Sequence, residues 1–130
     1  KPLSRERKIF DRNIRLSMNR AIKNNKTGSK WEKLLGYTLK ELKNHIENQF
    51  NENMNWDNFG SYWWIDHIIP KSVYNYSNVK NNEFKKCWNL KNLRPLEKKE
   101  CMRKGGKIYK KLLDEYRLYD ILPAGRLYLQ

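Results

Sequence analysis

Apolar residues recur at helical spacing near the start of the chain. Phe10, Ile14, Met18, Ala21 and Ile22 share one side of residues 5–23, while Arg7, Lys8, Arg12, Arg15, Arg20 and Lys23 crowd the rest of the surface. The pattern predicts a basic amphipathic helix whose polar side is either simply solvated or follows a phosphate backbone. Asn24-Asn25-Lys26-Thr27-Gly28 breaks the period. Ser29 with Glu32 has the spacing of a capping box and predicts a short helix through Leu35, stopped by Gly36. Thr38 with Glu41 repeats the device, and the stripe of Leu39, Leu42, Ile46 and Phe50 predicts a helix over 39–50. His45 falls off that stripe and is expected to be an exposed helix residue.

Residues 51–60 are polar and turn-rich, with Met54, Trp56 and Phe59 expected to fold back onto a core. Tyr62 to Ile69 is dense in aromatic and β-branched residues and predicts a strand ended by Pro70. A long polar loop is expected over 71–82, then a short helix near Glu83 to Cys87 and a second short strand over Leu90 to Leu93. Pro95 suits the start of a helix over 96–104, with Gly105-Gly106 as its stop. A final helix is predicted over 107–119, with Tyr109, Leu112, Leu113, Tyr116 and Tyr119 at core spacing, followed by an extended tail over 121–130. The expected fold class is α+β and mostly helical: a two-stranded hairpin plus a helix, flanked by additional helices.

Length and charge narrow the classes. The 130 residues suit one domain, and the aromatic content supports a modest core. Lys and Arg number 28 against 14 Asp and Glu, a net charge of +14 that favours a polyanionic partner. No run of about 18 apolar residues is present to suggest a membrane span. Two cysteines, Cys87 and Cys101, are too few for a disulfide framework or a four-cysteine zinc site. An intracellular setting is expected, in the cytoplasm of a prokaryotic or phage-infected cell, with a monomer as the expected state. The chain opens on Lys1 rather than Met, as a processed chain or an excised fragment would.

The candidate chemistry lies in the middle. Trp64-Ile65-Asp66-His67-Ile68-Ile69-Pro70 sets an acid beside a histidine at the end of a strand. A phosphodiester is cut by an activated water, with neutralisation of the charge that grows on phosphate and leaving oxygen. His67 is the candidate general base, since a histidine is largely neutral near physiological pH. Asp66 is the candidate metal ligand, because carboxylate oxygen suits Mg²⁺. Neighbours on a regular strand point to opposite faces, so both can serve one site only where the strand ends. Taken singly, Asp-His reads as a surface dipeptide, Asn92 as a turn residue, and Trp63 and Trp64 as core.

The order of these residues with Asn92-Leu93-Arg94-Pro95-Leu96 and Glu100-Cys101-Met102-Arg103-Lys104-Gly105 is more telling. Over Trp31 to Lys107 the chain resembles HNH endonucleases of the phage and mobile-element type. Leu34-Leu35-Gly36-Tyr37-Thr38, Gln49-Phe50, Met54-Asn55-Trp56 and Phe59-Gly60 are similar to the family's approach to the site, and Cys87-Trp88-Asn89-Leu90 to the lead into its second motif. The resemblance implies one ββα-metal nuclease domain over 1–130, with a basic helical arm over 1–30, a core over 31–107 and a C-terminal helix and tail over 108–130. It implies DNA as partner, held mainly by its backbone, and products with a 5′ phosphate and a 3′ hydroxyl. His67 is then the base, Asp66 binds one divalent metal, and Asn92 braces the loop that orients His67. Mg²⁺ is the expected ion, with Mn²⁺ or Zn²⁺ as alternatives. Arg103, Lys104, Arg94, Arg12 and Arg15 are the expected DNA contacts.

Cys101 departs from the family, which usually has Asn or His facing the aspartate as a metal ligand. Three readings stand open: an inactivating or engineered change, a variant tolerated because water and phosphate complete the metal shell, or recruitment of a softer metal. Glu97 is a possible substitute carboxylate. The rivals to cleavage are an impaired HNH-fold nucleic-acid-binding module and a basic RNA-binding structural protein without a site.

Overall fold

The computed structural model describes residues 3–130; Lys1 and Pro2, which open the expected arm, lie outside the described residues. Ser4 accepts a hydrogen bond from the Arg7 amide at 3.1 Å and starts helix α1, Arg5–Asn24. The helix ends at Asn25, in the left-handed conformation that Asn tolerates. Ile14, Met18, Ala21 and Ile22 are buried, so α1 is packed into the body and is not a free arm.

Helices α2, Lys30–Leu35, and α3, Leu39–Glu47, begin as the capping residues predict. The Ser29 amide donates to Glu32 Oε1 at 2.7 Å, and the Thr38 amide to Glu41 Oε1 at 3.1 Å. Helix α3 stops three residues short of the expected end. The Gln49 and Phe50 amides donate to Ile46 and Glu47, three residues back, which tightens the last turn. Phe50 then packs its ring against Trp56 and Trp63. His45 is half-buried rather than exposed, with Nε2 2.9 Å from the Leu93 carbonyl oxygen.

Strand β1, Trp63–His67, pairs antiparallel with β2, Leu93–Glu97; Trp63 faces Glu97, Ile65 faces Pro95, and Asp66 faces Arg94. The second strand therefore lies three residues later than expected, and Leu90–Asn92 is a 3-10 turn. Pro95 sits inside β2 and not at a helix start. A two-stranded ribbon leaves each strand an open edge, where a missing N–H costs no ladder bond. Helix α5, Lys98–Lys104, directly succeeds β2 and ends at Gly105, φ 56°. The result is a ββα unit within a mostly helical α+β fold.

Between the strands lies α4, Asn82–Cys87. The preceding loop is less polar in practice than in sequence, because Tyr74 and Tyr76 are buried and the Tyr74 hydroxyl donates to the Ile121 carbonyl at 2.8 Å. The last helix, α6, covers only Lys110–Tyr116. Leu113, Leu118 and Ile121 supply its side of the core, whereas Tyr119, expected inside, is 45% exposed. The tail is tethered: Leu129 exchanges backbone hydrogen bonds with Ile108 and Lys110 at 2.6 and 2.7 Å. One apolar cluster runs from Ile14 to Ile121 and includes the fully buried Leu42, Trp63 and Phe84. Among the described residues no helix is long and apolar enough to cross a membrane.

Candidate functional site

Ladder pairing ends at His67, and Asn92 holds the two residues beyond it. The Ile68 amide donates to the Asn92 carbonyl at 2.8 Å, and the Ile69 amide to Asn92 Oδ1 at 2.8 Å. Asn92 Nδ2 donates to the Ile69 and Cys87 carbonyls at 3.1 and 2.9 Å. Asn92 is wholly buried and its side chain satisfies three backbone groups, which fixes the bend after the strand. At that bend Asp66 and His67 line the same cleft.

Three groups surround the Asp66 carboxylate. Arg94 Nε reaches Oδ2 at 2.9 Å, the cross-strand pairing making this an opposite-charge contact. Lys104 Nζ stands 3.5 Å from Oδ1, and the Cys101 thiol donates to Oδ1 at 3.4 Å. Lys104 is turned inward, with Nζ donating to the His67 carbonyl at 2.8 Å. Burial lowers the Lys104 pKa, with Asp66 opposing the shift. Burial, then Asp66, raises the pKa of the Cys101 thiol, so it is held protonated.

His67 packs edge-on against Trp88, ring centroids 4.5 Å apart at 89°. Tyr37 fixes Trp88 from behind by donating its hydroxyl proton to the Trp88 carbonyl at 2.8 Å. The pKa of His67 is pushed well below the ordinary imidazole value, first by burial and then by Lys71, Lys104 and Arg7. His67 Nε2 is buried and has no hydrogen-bond partner. A neutral imidazole beside a carboxylate can take a proton from water, and Nδ1 is the nitrogen left for that task.

The cleft measures about 460 Å³. Strand β1 and α5 form one side, and α1 forms the other through Arg15, Met18, Asn19 and Lys23. Gly60, at φ 91°, turns the chain beneath α1, and a Cβ there would meet Lys23 Nζ at 4.0 Å. Helix α1 is fastened by a buried network. Arg7 donates to Asp11 Oδ2 at 2.8 Å and to the Tyr74 and Lys71 carbonyls at 2.8 and 2.7 Å, while Tyr76 donates to the other Asp11 oxygen.

The residues expected to meet DNA divide into three kinds. Arg12 and Arg15 are exposed on α1, and Arg15 borders the cleft. Arg103 is exposed and paired with Glu100. Arg94 and Lys104 are engaged inward with Asp66 instead of standing free for phosphate. Glu97 ends β2 and is not part of the cleft wall. Sequence reasoning passed over Lys71, which lines the cleft, and placed Lys23 and Trp88, which also line it, only in the basic helix and in the second motif. Lys71, directly after the Pro70 that ends the motif, carried a positional hint. It also missed the Arg7–Asp11 anchor, although the pair has the i,i+4 spacing of a helix ion pair.

A divalent cation here would have to share Asp66 Oδ1, the more loosely engaged oxygen, with Lys104 and the Cys101 thiol. Among the described residues no three His, Cys, Asp or Glu side chains gather to hold an ion, so a closed zinc site does not fit. Mg²⁺ asks for fewer protein ligands, because it keeps several waters and takes one or two carboxylates together with substrate phosphates. A protonated thiol is a poor ligand for so hard an ion. The nearby ammonium of Lys104 would compete with it.

An uncharacterized protein of Acanthamoeba polyphaga mimivirus is 37% identical to the chain over 95 residues, 73% of this chain and 41% of the relative. The chain thus spans about two-fifths of the length of the curated relative it matches. No protein-family model and no solved structure matches it.

Proposed function

We propose that the chain is a metal-dependent DNA endonuclease of the HNH type, cutting one strand or both. The observation that carries this reading is the meeting of Asp66 and His67 in one cleft of a ββα unit, with Cys101 on α5 facing Asp66 at 3.4 Å. These are three of the four site positions that the sequence resemblance singles out, Asn92 being the fourth.

On this reading His67 takes the proton from the attacking water through Nδ1. Its surroundings keep the ring neutral at rest, with a lone pair free, and they also make it a weaker base than an ordinary imidazole. Asn92 holds the bend that aims the ring. Arg15, Lys23 and Lys71 meet the phosphate backbone from the cleft rim. Asp66 would hold the divalent ion, which when bound supplies Lewis-acid neutralisation of charge on the phosphate and leaving oxygen. Lys104, 3.5 Å from Asp66 Oδ1 and bonded to the His67 carbonyl, would share that oxygen with the ion. The mimivirus relative agrees with a virus-borne setting.

A second reading has its own observation. Arg94, Lys104 and the Cys101 thiol already occupy both oxygens of Asp66. A carboxylate so satisfied suits an HNH-fold module that binds nucleic acid without cutting. Nicking of supercoiled plasmid in Mg²⁺, Mn²⁺ and Zn²⁺ separates the two, with Cys101→Asn beside the parent. The nuclease reading expects cutting by the parent in Mg²⁺ or Mn²⁺ and about tenfold faster cutting by Cys101→Asn, in line with typical costs of imperfect metal shells. A parent inert in all three ions, with activity gained only by Cys101→Asn, establishes the binding module.

A further inference from the structure

The nuclease reading leaves open what form of nucleic acid reaches Asp66 and His67, and the wall opposite them bears on that. The geometry points to an unpaired strand, one nucleotide of which enters the cleft between α1 and β1, as the preferred ligand over continuous duplex. This inference rests on the proposed site but not on cleavage itself.

Three observations support it. The first is size. A space of about 460 Å³ is at the small end for pockets that surround a single drug-sized ligand. A major groove about 12 Å wide, with a strand on either side, is a much larger object. A single nucleotide matches the scale of that space more nearly than a whole duplex does.

The second is that the opposing wall is fixed. Met18, Ala21 and Ile22 of α1 are in the core, and the buried Arg7 binds two carbonyls of the loop after β1 as well as Asp11. Helix α1 is therefore a wall and not a lid that swings clear of a duplex.

The third is what the cleft offers. Trp64 is half-buried in its lining, with Lys98 Nζ 5.2 Å from the ring centroid, and Ile65 lies beside it. An aromatic side chain beside an aliphatic one suits an unstacked base. The rim supplies Arg15, Lys23 and Lys71 against the single acid Asp66, which is itself ion-paired. A basic rim over an aromatic floor is how single strands are held without sequence preference. Duplex gains the same stacking only after paying for unpairing.

The test uses full-length His67→Ala, which cannot cut by the proposed route, with fluorescence anisotropy in Mg²⁺ at fixed salt. The probes are labelled oligonucleotides of equal length: a single strand, a perfect duplex and a duplex with a central unpaired loop. The single strand and the looped duplex are expected to bind about tenfold more tightly than the perfect duplex or better. Adding Trp64→Ala should erase that preference, whereas Trp64→Phe should keep most of it, with circular dichroism confirming that both are folded. Perfect duplex bound as tightly as single strand overturns the inference, as does a folded Trp64→Ala that retains the full preference. Plasmid nicking by the parent is read separately. Cleavage without strand preference keeps the nuclease and sinks this inference, whereas strand preference without cleavage does the reverse.

Discussion

His67 shows how one residue's chemistry is set by its neighbours. Burial and the cations Lys71, Lys104 and Arg7 disfavour its protonated form, so its folded pKa lies well below the ordinary value of about 6.5. Between those two pKa values the unfolded chain binds more protons than the folded one, so stability rises with pH across that window. The stabilisation is complete above about pH 6.5 and is lost as pH falls toward and through the folded pKa. Thermal melts from pH 7 down to pH 5 should show a decline that flattens in His67→Asn; an unchanged slope in the variant would place the titration elsewhere. The Asp66–His67 pair was legible in sequence because Pro70 marks a strand end nearby. The inward turn of Lys104 was not, since sequence gives a residue's type and spacing but not the direction of a long flexible side chain. Arg94 was hidden for a related reason: its pairing with Asp66 depends on strand register, and the register was misplaced.

Helix starts were readable where a capping pair marks them, as Ser29–Glu32 and Thr38–Glu41 do. Ends and strands were harder. Phe50 continues the apolar stripe of α3 but belongs to an aromatic cluster with Trp56 and Trp63 outside the helix. Pro95 looks like a helix opener and is instead tolerated at the edge of a ribbon. At this scale Asn92 matters most, because one side chain links the bend after β1 to the end of α4. Asn92→Ala would orphan the Ile69 amide and two carbonyls in the interior. The expected loss is on the order of 3 kcal/mol, from the cost of leaving buried polar groups unpaired. Urea unfolding measures it; a loss below about 1 kcal/mol would mean that water or a rearranged turn replaces the amide.

At the scale of the molecule, charge and topology act together. The net charge of +14 makes affinity for any polyanion fall steeply with salt, because each neutralised phosphate releases a counterion. Plotting log affinity for DNA against log salt should give a line, and reversing the charge at Arg15 (Arg15→Glu) should lower its slope by about one or more phosphate contacts. An unchanged slope would remove Arg15 from the interface. The overall fold class was apparent from alternating patterns, but the cleft was not. It depends on α1 returning across the chain to face β1, and the buried Arg7–Asp11–Tyr76 contacts that hold it there join residues more than sixty apart.

The central claim is that the imidazole of His67 takes a proton from water while a phosphodiester is cut. Single-turnover cleavage of a labelled DNA in Mg²⁺ by the parent and by His67→Ala, with and without added imidazole, tests it. Cleavage by the parent, a fall of about a hundredfold or more in the variant, typical of losing a general base, and partial recovery with imidazole are the predicted result. A folded His67→Ala that cuts as fast as the parent would contradict it.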